Sequence, residues 1–255
     1  MPKTLYDHPL YYDILFGWDR SREAGFYHDV FAHCGVAAGE RVLEVACGTG
    51  QIGRRLARRG WHVVGLDVSP SMLAFLREQA DVDGVRMEVL CGDMTTFSAG
   101  VAGEFAAAFN PMSSFRLLQT DAEADAHLAA MARALRSGGV YVLDLDFRGD
   151  SREPAVTTDE SWVMQRGNVT VTAEDAAVTV NDDGTEHVLA WGLEGHLRGY
   201  TVEAFAERVE QVPALQIESW HPEADRGDGD VSLFRVEHTS ELPPTGRTMV
   251  VLRRR

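Results

Sequence analysis

Apolar positions along the chain follow two periods, and each change of period marks an element. Val42, Leu43 and Val45 make a bulky run that breaks into the small residues Ala46, Cys47, Gly48, Thr49 and Gly50. A helical spacing follows, carried by Ile52, Leu56 and Ala57 and stopped near Gly60. Residues 61–67 read as the next strand. Met72, Leu73, Phe75 and Leu76 give a second helix its buried face, with Ser69 as N-cap and Pro70 in the first turn. Residues 85–91 and 104–110 read as a third and fourth strand. Residues 121–135 carry Leu128, Met131, Ala132 and Leu135 on one helical face, and 140–145 is a fifth strand. Strands alternating with helices in this way predict an α/β fold with a doubly wound, largely parallel sheet.

Near residue 150 the pattern changes. Residues 169–172, 178–180 and 187–191 alternate polar with apolar, and Asp182, Asp183 and Gly184 stand as a turn between the last two, which predicts an antiparallel β insertion. Thr201 then caps an amphipathic helix carried by Val202, Phe205, Ala206 and Val209, and 215–220 and 248–252 are closing strands. Before the first strand, residues 5–17 are rich in aromatics and lead into a helix marked by Phe26, Val30 and Phe31. The expected organisation is a core with N-terminal helices over 1–150, the insertion over 151–198, and a C-terminal helix with the closing strands over 199–255.

Composition narrows the function classes. A formal charge of -15 over 255 residues argues against a nucleic-acid partner, which needs clustered Lys and Arg to displace counterions from phosphates. Cys34, Cys47 and Cys91 are widely spaced and show no metal-ligand pattern, so no metal is expected and a reduced, cytoplasmic protein is. No signal-peptide pattern opens the chain and no run approaches 18 uninterrupted apolar residues, so no membrane association is expected.

The stretch from Arg41 to Gly50 carries the candidate chemistry. Small residues leave room for a ligand to approach the backbone, and two ligand classes compete for the turn. Gly48, Gly50 and Gly53 satisfy the dinucleotide spacing G-x-G-x-x-G, with Asp67 downstream. Glu44-Val-Ala-Cys-Gly-Thr-Gly50 resembles the E/D-x-G/A-x-G-x-G signature of class I S-adenosylmethionine-dependent methyltransferases, with Ala46 in place of the commoner first glycine. Three further features agree in order: Gly92-Asp93-Met94 after the third strand, Asn110 at the end of the fourth, and Gly138-Gly139 before the fifth. Weaker similarity at Tyr12-Asp13 and at His196, Arg198 and Tyr200 points toward glycine and sugar-amine N-methyltransferases.

The resemblance implies a Rossmann-like, seven-stranded doubly wound sheet with the antiparallel insertion as a lid. It implies S-adenosyl-L-methionine as cofactor, held by Tyr12, Glu44, Ala46, Cys47, Gly48, Gly50, Asp67, Val68, Met72, Gly92, Asp93, Met94 and Asn110. In that reading Asp67 accepts from the ribose hydroxyls and Asp93 from the adenine amine. A small-molecule acceptor is expected beside Tyr11, Met112, Phe115, Arg116, Trp191, Arg198 and Tyr200, with His196 as the candidate base for N- or O-methylation. Removing the lid is expected to abolish transfer before cofactor binding. A non-catalytic S-adenosylmethionine sensor and a nicotinamide oxidoreductase are the alternatives, and the insertion is alternatively a homodimer platform.

Overall fold

The computed structural model describes residues 4–98, 103–148, 152–154, 161–174, 177–190, 196–222, 239, 242–243 and 245–255. Two helices, α1 (Pro9–Leu15) and α2 (Ser21–His33), precede the sheet. The alternating half then runs β1 (Arg41–Val45), α3 (Gln51–Arg58), β2 (His62–Asp67), α4 (Pro70–Val82), β3 (Glu88–Cys91), β4 (Phe105–Asn110), α5 (Asp121–Ala134) and β5 (Leu135–Phe147). After the insertion come α6 (Val202–Glu210), β12 (Leu215–Pro222) and β13 (Gly246–Arg254). The seven strands order as β12-β13-β5-β4-β1-β2-β3. β1 pairs parallel with β2 and β4, β2 with β3, and β4 with β5, whereas β13 runs antiparallel to both its neighbours.

Local chemistry explains the boundaries. Ser69 Oγ accepts from Met72 N at 3.3 Å and Thr201 Oγ1 from Ala204 N at 3.0 Å, so both expected N-caps are formed. Thr120 and Glu123 make a reciprocal capping box at the start of α5. β5 begins five residues before the apolar run at Val140, because Leu135 already pairs with Phe105 across an irregularity in the ladder. Gly139 lies in that irregular stretch, where a Cβ would stand 2.9 Å from Arg136 O and 3.1 Å from Ala106 O. The sheet buries Leu43, Val45, Leu66, Ala108, Leu143 and Val250 with the α5 and α6 faces on one side. On the other side Val42, Val63, Ala107, Phe109 and Val142 pack with α2 and α3.

The insertion has its own sheet. β7 (Trp162–Arg166), β8 (Val169–Glu174), β9 (Ala177–Asp182) and β10 (Thr185–Ala190) form an antiparallel meander, and β6 (Arg152–Pro154) pairs separately with β11 (His196–Arg198). Asp183 and Gly184 take φ of 48° and 82°, the paired left-handed values a two-residue hairpin turn requires. Val171, Ala173, Val178, Val180 and Leu189 pack on Leu5, Ile14 and Leu15, so the meander rests on the N-terminal helix. Its first strand escapes the sequence pattern, because Trp162 to Arg166 is at most half-buried and has a charged end.

Candidate active site

Strand order reverses between β1 and β4, and a crevice opens beyond their carboxyl ends, where ligands bind in open α/β sheets. Among its lining residues are Glu44 within β1, Ala46, Cys47 and Thr49 after it, Pro111, Met112 and Ser114 after β4, and Tyr12, Phe16 and Arg20 from the N-terminal segment. The loop after β1 is tied down by Cys47 N to Leu66 O at 2.9 Å, Gly50 N to Cys47 O at 2.8 Å and Gly48 N to Asp67 Oδ2 at 2.8 Å. Asp67 Oδ1 accepts from Ser69 N at 2.9 Å, so one carboxylate joins the glycine loop to the cap of α4. Tyr12 lies against the loop: a Cβ on Gly48 would meet its ring at 3.5 Å.

Electrostatics at the cleft follow from burial. Glu44 is 1% exposed, and burial pushes its carboxyl up to about 8 against the opposing pull of the Gly53 N–H and Arg54. Burial likewise lifts Asp67, and raises the Cys47 thiol and the Tyr12 phenol well above their usual ranges, so neither of the latter two is a nucleophile or base at neutral pH. Arg20 is buried, with Nη1 on Glu23 Oε2 at 2.8 Å and Nη2 on Met112 Sδ at 3.1 Å.

The turn after β4 is strained in a way no spacing announces. Met112 and Ser113 take φ of 57° and 54°, left-handed values that are rare for side-chain-bearing residues. Asp144, fully buried at the end of β5, accepts from Met112 N at 2.9 Å and is itself held by Arg247 Nε at 2.7 Å. Arg247 also reaches Glu23 Oε1 at 2.5 Å, which closes a partly buried chain of charges from β13 through Glu23 to Arg20 at the cleft.

Tyr12, Glu44, Ala46, Cys47 and Met112 therefore line the cleft, with Gly48, Gly50 and Asp67 in the loop beside it. Asn110 is buried behind it, with Nδ2 on Val45 O at 3.1 Å. Gly92 follows β3 and donates to Asp67 O at 3.0 Å, Asp93 is exposed, Met94 packs on the core and Val68 is exposed. Met72 is buried in α4 and does not line the cleft.

Internal packing engages most of the expected acceptor border. Phe115 is buried in the core against His127, Tyr200 and Phe205, and Tyr200 lies there with it. Arg116 is buried with Nε on Arg198 O at 2.9 Å, Arg198 pairs with Asp121, and Tyr11 Oη binds Asp182 Oδ2 at 2.9 Å. These groups hold the β4 turn to β11 and the helix to the insertion, and they do not line the cleft. The side chain of His196 and all of Trp191 lie outside the described residues. Sequence reasoning missed Phe16, Arg20 and Asp144; for Arg20 the signal was an arginine just before a helix with Glu23 three residues on.

Residues 42–139 match the family model described as Methyltransferase domain. Over these residues the chain is similar to a methyltransferase domain. It is 31% identical over 105 residues to the putative methyltransferase YqeM of Bacillus subtilis, covering 41% of this chain and 42% of that protein. It is 30% identical over 141 residues to a dTDP-3-amino-3,4,6-trideoxy-alpha-D-glucopyranose N,N-dimethyltransferase of Streptomyces venezuelae, covering 54% and 56%. The chain thus spans about half the length, or less, of these curated relatives. Over the full fold it superposes on the amino pentose methyltransferase CalS10 of Micromonospora echinaspora, solved with its cofactor, with TM-score 0.64, 24% identity and coverage of 94% and 93%. The methyltransferase match sets aside the nicotinamide reading of the glycine turn.

The cofactor such a domain uses is S-adenosylmethionine, and the cleft fits it. Two buried acceptors at this end of the sheet, Glu44 Oε2 and Asn110 Oδ1, have no hydrogen-bond partner among the described residues. Buried acceptors without donors are costly, so donors from a ligand are the natural completion. Among the described residues no group of three or more His, Cys, Asp or Glu side chains is arranged to hold a metal, and no helix is long and apolar enough to cross a membrane.

Proposed function

We propose that the protein transfers a methyl group from S-adenosylmethionine to a small-molecule acceptor, with the cleft between β1 and β4 receiving the aminoacyl end of the cofactor. The observation that carries this reading is one buried guanidinium, Arg20, in the same cleft as Glu44, whose Oε2 lacks a donor, with Asn110 Oδ1 buried behind. A cation with nearby acceptors complements an α-carboxylate and an α-ammonium. Arg20 would take the carboxylate, and Asn110 the ammonium together with Glu44, whose buried proton the incoming cation would displace. Ala46, Cys47, Gly48 and Gly50 would lie along the chain to the ribose, Asp67 would accept its hydroxyl protons, and Gly92, Asp93 and Met94 would meet the adenine. Val68, exposed between Asp67 and α4, would border the nucleoside, whereas Met72 would support α4 from beneath.

When bound, S-adenosylmethionine supplies a sulfonium-activated methyl carbon open to in-line attack. The protein's part is placement and exclusion of water. Tyr12 and Phe16 wall one side of the cleft, and Met112, fixed by Asp144, shapes the other. Among the described residues no histidine lines the cleft, so an acceptor amine that arrives neutral suits it best. His196 on β11 is the proposed base for an acceptor that must lose a proton. An amine on a sugar-like molecule is the proposed acceptor class, supported by the amino-sugar and amino-pentose relatives. A reduced, cytoplasmic setting is proposed from the wide spacing of the three cysteines, which follow no metal-ligand pattern.

Calorimetric titration with S-adenosylhomocysteine, followed by transfer of labelled methyl groups to a panel of amino sugars and phenols, tests this. Saturable binding with label on the amino sugars supports it. Absence of binding sinks the cofactor assignment, binding without transfer favours a sensor, and label on phenols alone replaces N- with O-methylation.

A further inference from the structure

His127 on α5 is fully buried and belongs to neither the glycine loop nor the cleft. Its Nδ1 lies 2.9 Å from Met94 O and its Nε2 lies 2.7 Å from Tyr141 Oη, on β5. A carbonyl only accepts, so Nδ1 carries the proton and Nε2 accepts from the phenol. Burial lowers the imidazole to about 4, which keeps the ring neutral and this tautomer in place at neutral pH.

The peptide unit that His127 grips is the one between Met94 and Thr95. Its carbonyl accepts from His127, and its N–H, on the opposite side of the same rigid plane, donates to Asp93 Oδ1 at 2.7 Å. The Thr95 hydroxyl donates to the same oxygen. Rotating that plane would carry the N–H away from Asp93. A chain of directed bonds thus runs from Tyr141 in the central sheet through His127 to an otherwise exposed carboxylate.

We propose that His127 is a positioning residue for purine recognition: the relay Tyr141, His127, Met94–Thr95 fixes the direction in which Asp93 presents its free oxygen, and so sets selectivity for a 6-amino purine. The inference rests on the assignment of Asp93 to the adenine given above. An ionised carboxylate attracts an exocyclic amine and repels the carbonyl that replaces it in hypoxanthine, so selectivity depends on its orientation.

Affinities for S-adenosylhomocysteine and S-inosylhomocysteine test the proposal. The wild type is expected to favour the adenine ligand by about a hundredfold, and His127→Leu to lower that ratio by about tenfold. His127→Asn, which returns an N–H near the Nδ1 position, is expected to recover most of it. A merely structural histidine would weaken both ligands equally, and an unchanged ratio in His127→Leu overturns the relay. Nitrogen-15 spectra of the wild-type ring give a reading that needs no variant: Nδ1 protonated and Nε2 bare at neutral pH is expected, and the opposite tautomer overturns the proposal. A wild type that binds neither ligand sinks the cofactor reading, and one that binds both equally sinks the adenine assignment of Asp93 and the relay with it.

Discussion

Arg166 of the inserted sheet is bound twice to Asp13 of α1, through Nη1 to Oδ2 at 2.8 Å and Nη2 to the backbone oxygen at 3.0 Å. The same backbone oxygen accepts from Gln51 Nε2 at 3.1 Å, and Asp13 Oδ1 faces Arg54 Nη2 at 3.5 Å. One buried residue therefore latches the insertion and the helix that follows the glycine loop. Asp13→Ala is expected to speed proteolytic cleavage within residues 162–190 and also to weaken S-adenosylhomocysteine binding. Arg166→Ala is expected to speed cleavage with little change in affinity, because Gln51 and Arg54 keep their partner. Equal effects of the two variants on affinity would show that the latch does not reach the loop. Since Tyr12 sits between the insertion and Gly48, excising 151–198 should now cost cofactor affinity as well as transfer.

Glu44 gives stability a pH dependence of definite sign. A carboxyl raised from 4.5 to about 8 binds its proton more tightly in the folded state, so stability is expected to fall as pH climbs through that window. Asp67, also raised, adds in the same sense. His127, lowered from 6.5 to about 4, acts oppositely: its contribution is full above 6.5 and is lost as pH falls toward 4. Glu44→Gln should flatten the alkaline side of the profile. Urea midpoints measured across the range check this, and an unchanged slope refutes it.

Ala46 occupies a left-handed backbone position, with φ of 53°, where glycine carries no Cβ penalty. That conformation costs an alanine roughly 1–2 kcal/mol, against ~0.4–1 kcal/mol of extra unfolded-state entropy brought by glycine. Ala46→Gly is thus expected to stabilise the fold by about 0.5–1 kcal/mol, and a small rise in Tm by calorimetry is the sign to look for. A lower Tm would mean that the methyl packs better than its exposure to the cleft suggests.

Asp67 ties down the glycine loop and is the proposed ribose acceptor, and its loss should show both. Removing a charged acceptor typically costs ~1.5–3 kcal/mol, so Asp67→Ala should weaken S-adenosylhomocysteine binding by roughly tenfold to a hundredfold. The lost bonds to Gly48 N and Ser69 N should also slacken the loop, seen as faster amide exchange at those positions. Undiminished affinity in a folded variant would remove the ribose assignment.

Most of the core was readable because its strands are buried on both faces and its helices on one, so apolar period reports burial directly. The caps at Ser69 and Thr201 were readable for the same local reason. What escaped was long-range polar pairing. Arg116 and Arg198 look like ligand-binding residues in isolation, yet one holds a carbonyl of β11 and the other an acid of α5. Asp144 is one of two acids at the end of an apolar strand, and its role appears only when Met112 and Arg247 arrive beside it. No spacing encodes a partner 100 residues away.

Gly53 shows how one spelling can carry two meanings. A Cβ there would fall 2.2 Å from Glu44 Oε2 and 2.7 Å from Met87 Cε, so the position is vacated for a buried acid and its neighbour. In a dinucleotide fold the third glycine of the same string lets the helix pack closely on its strand. Here the string G-x-G-x-x-G is a homonym, completed by the demands of the first letter of the other motif. Any reader of genomes that scores the pattern without asking what fills the space above the last glycine will misfile such chains.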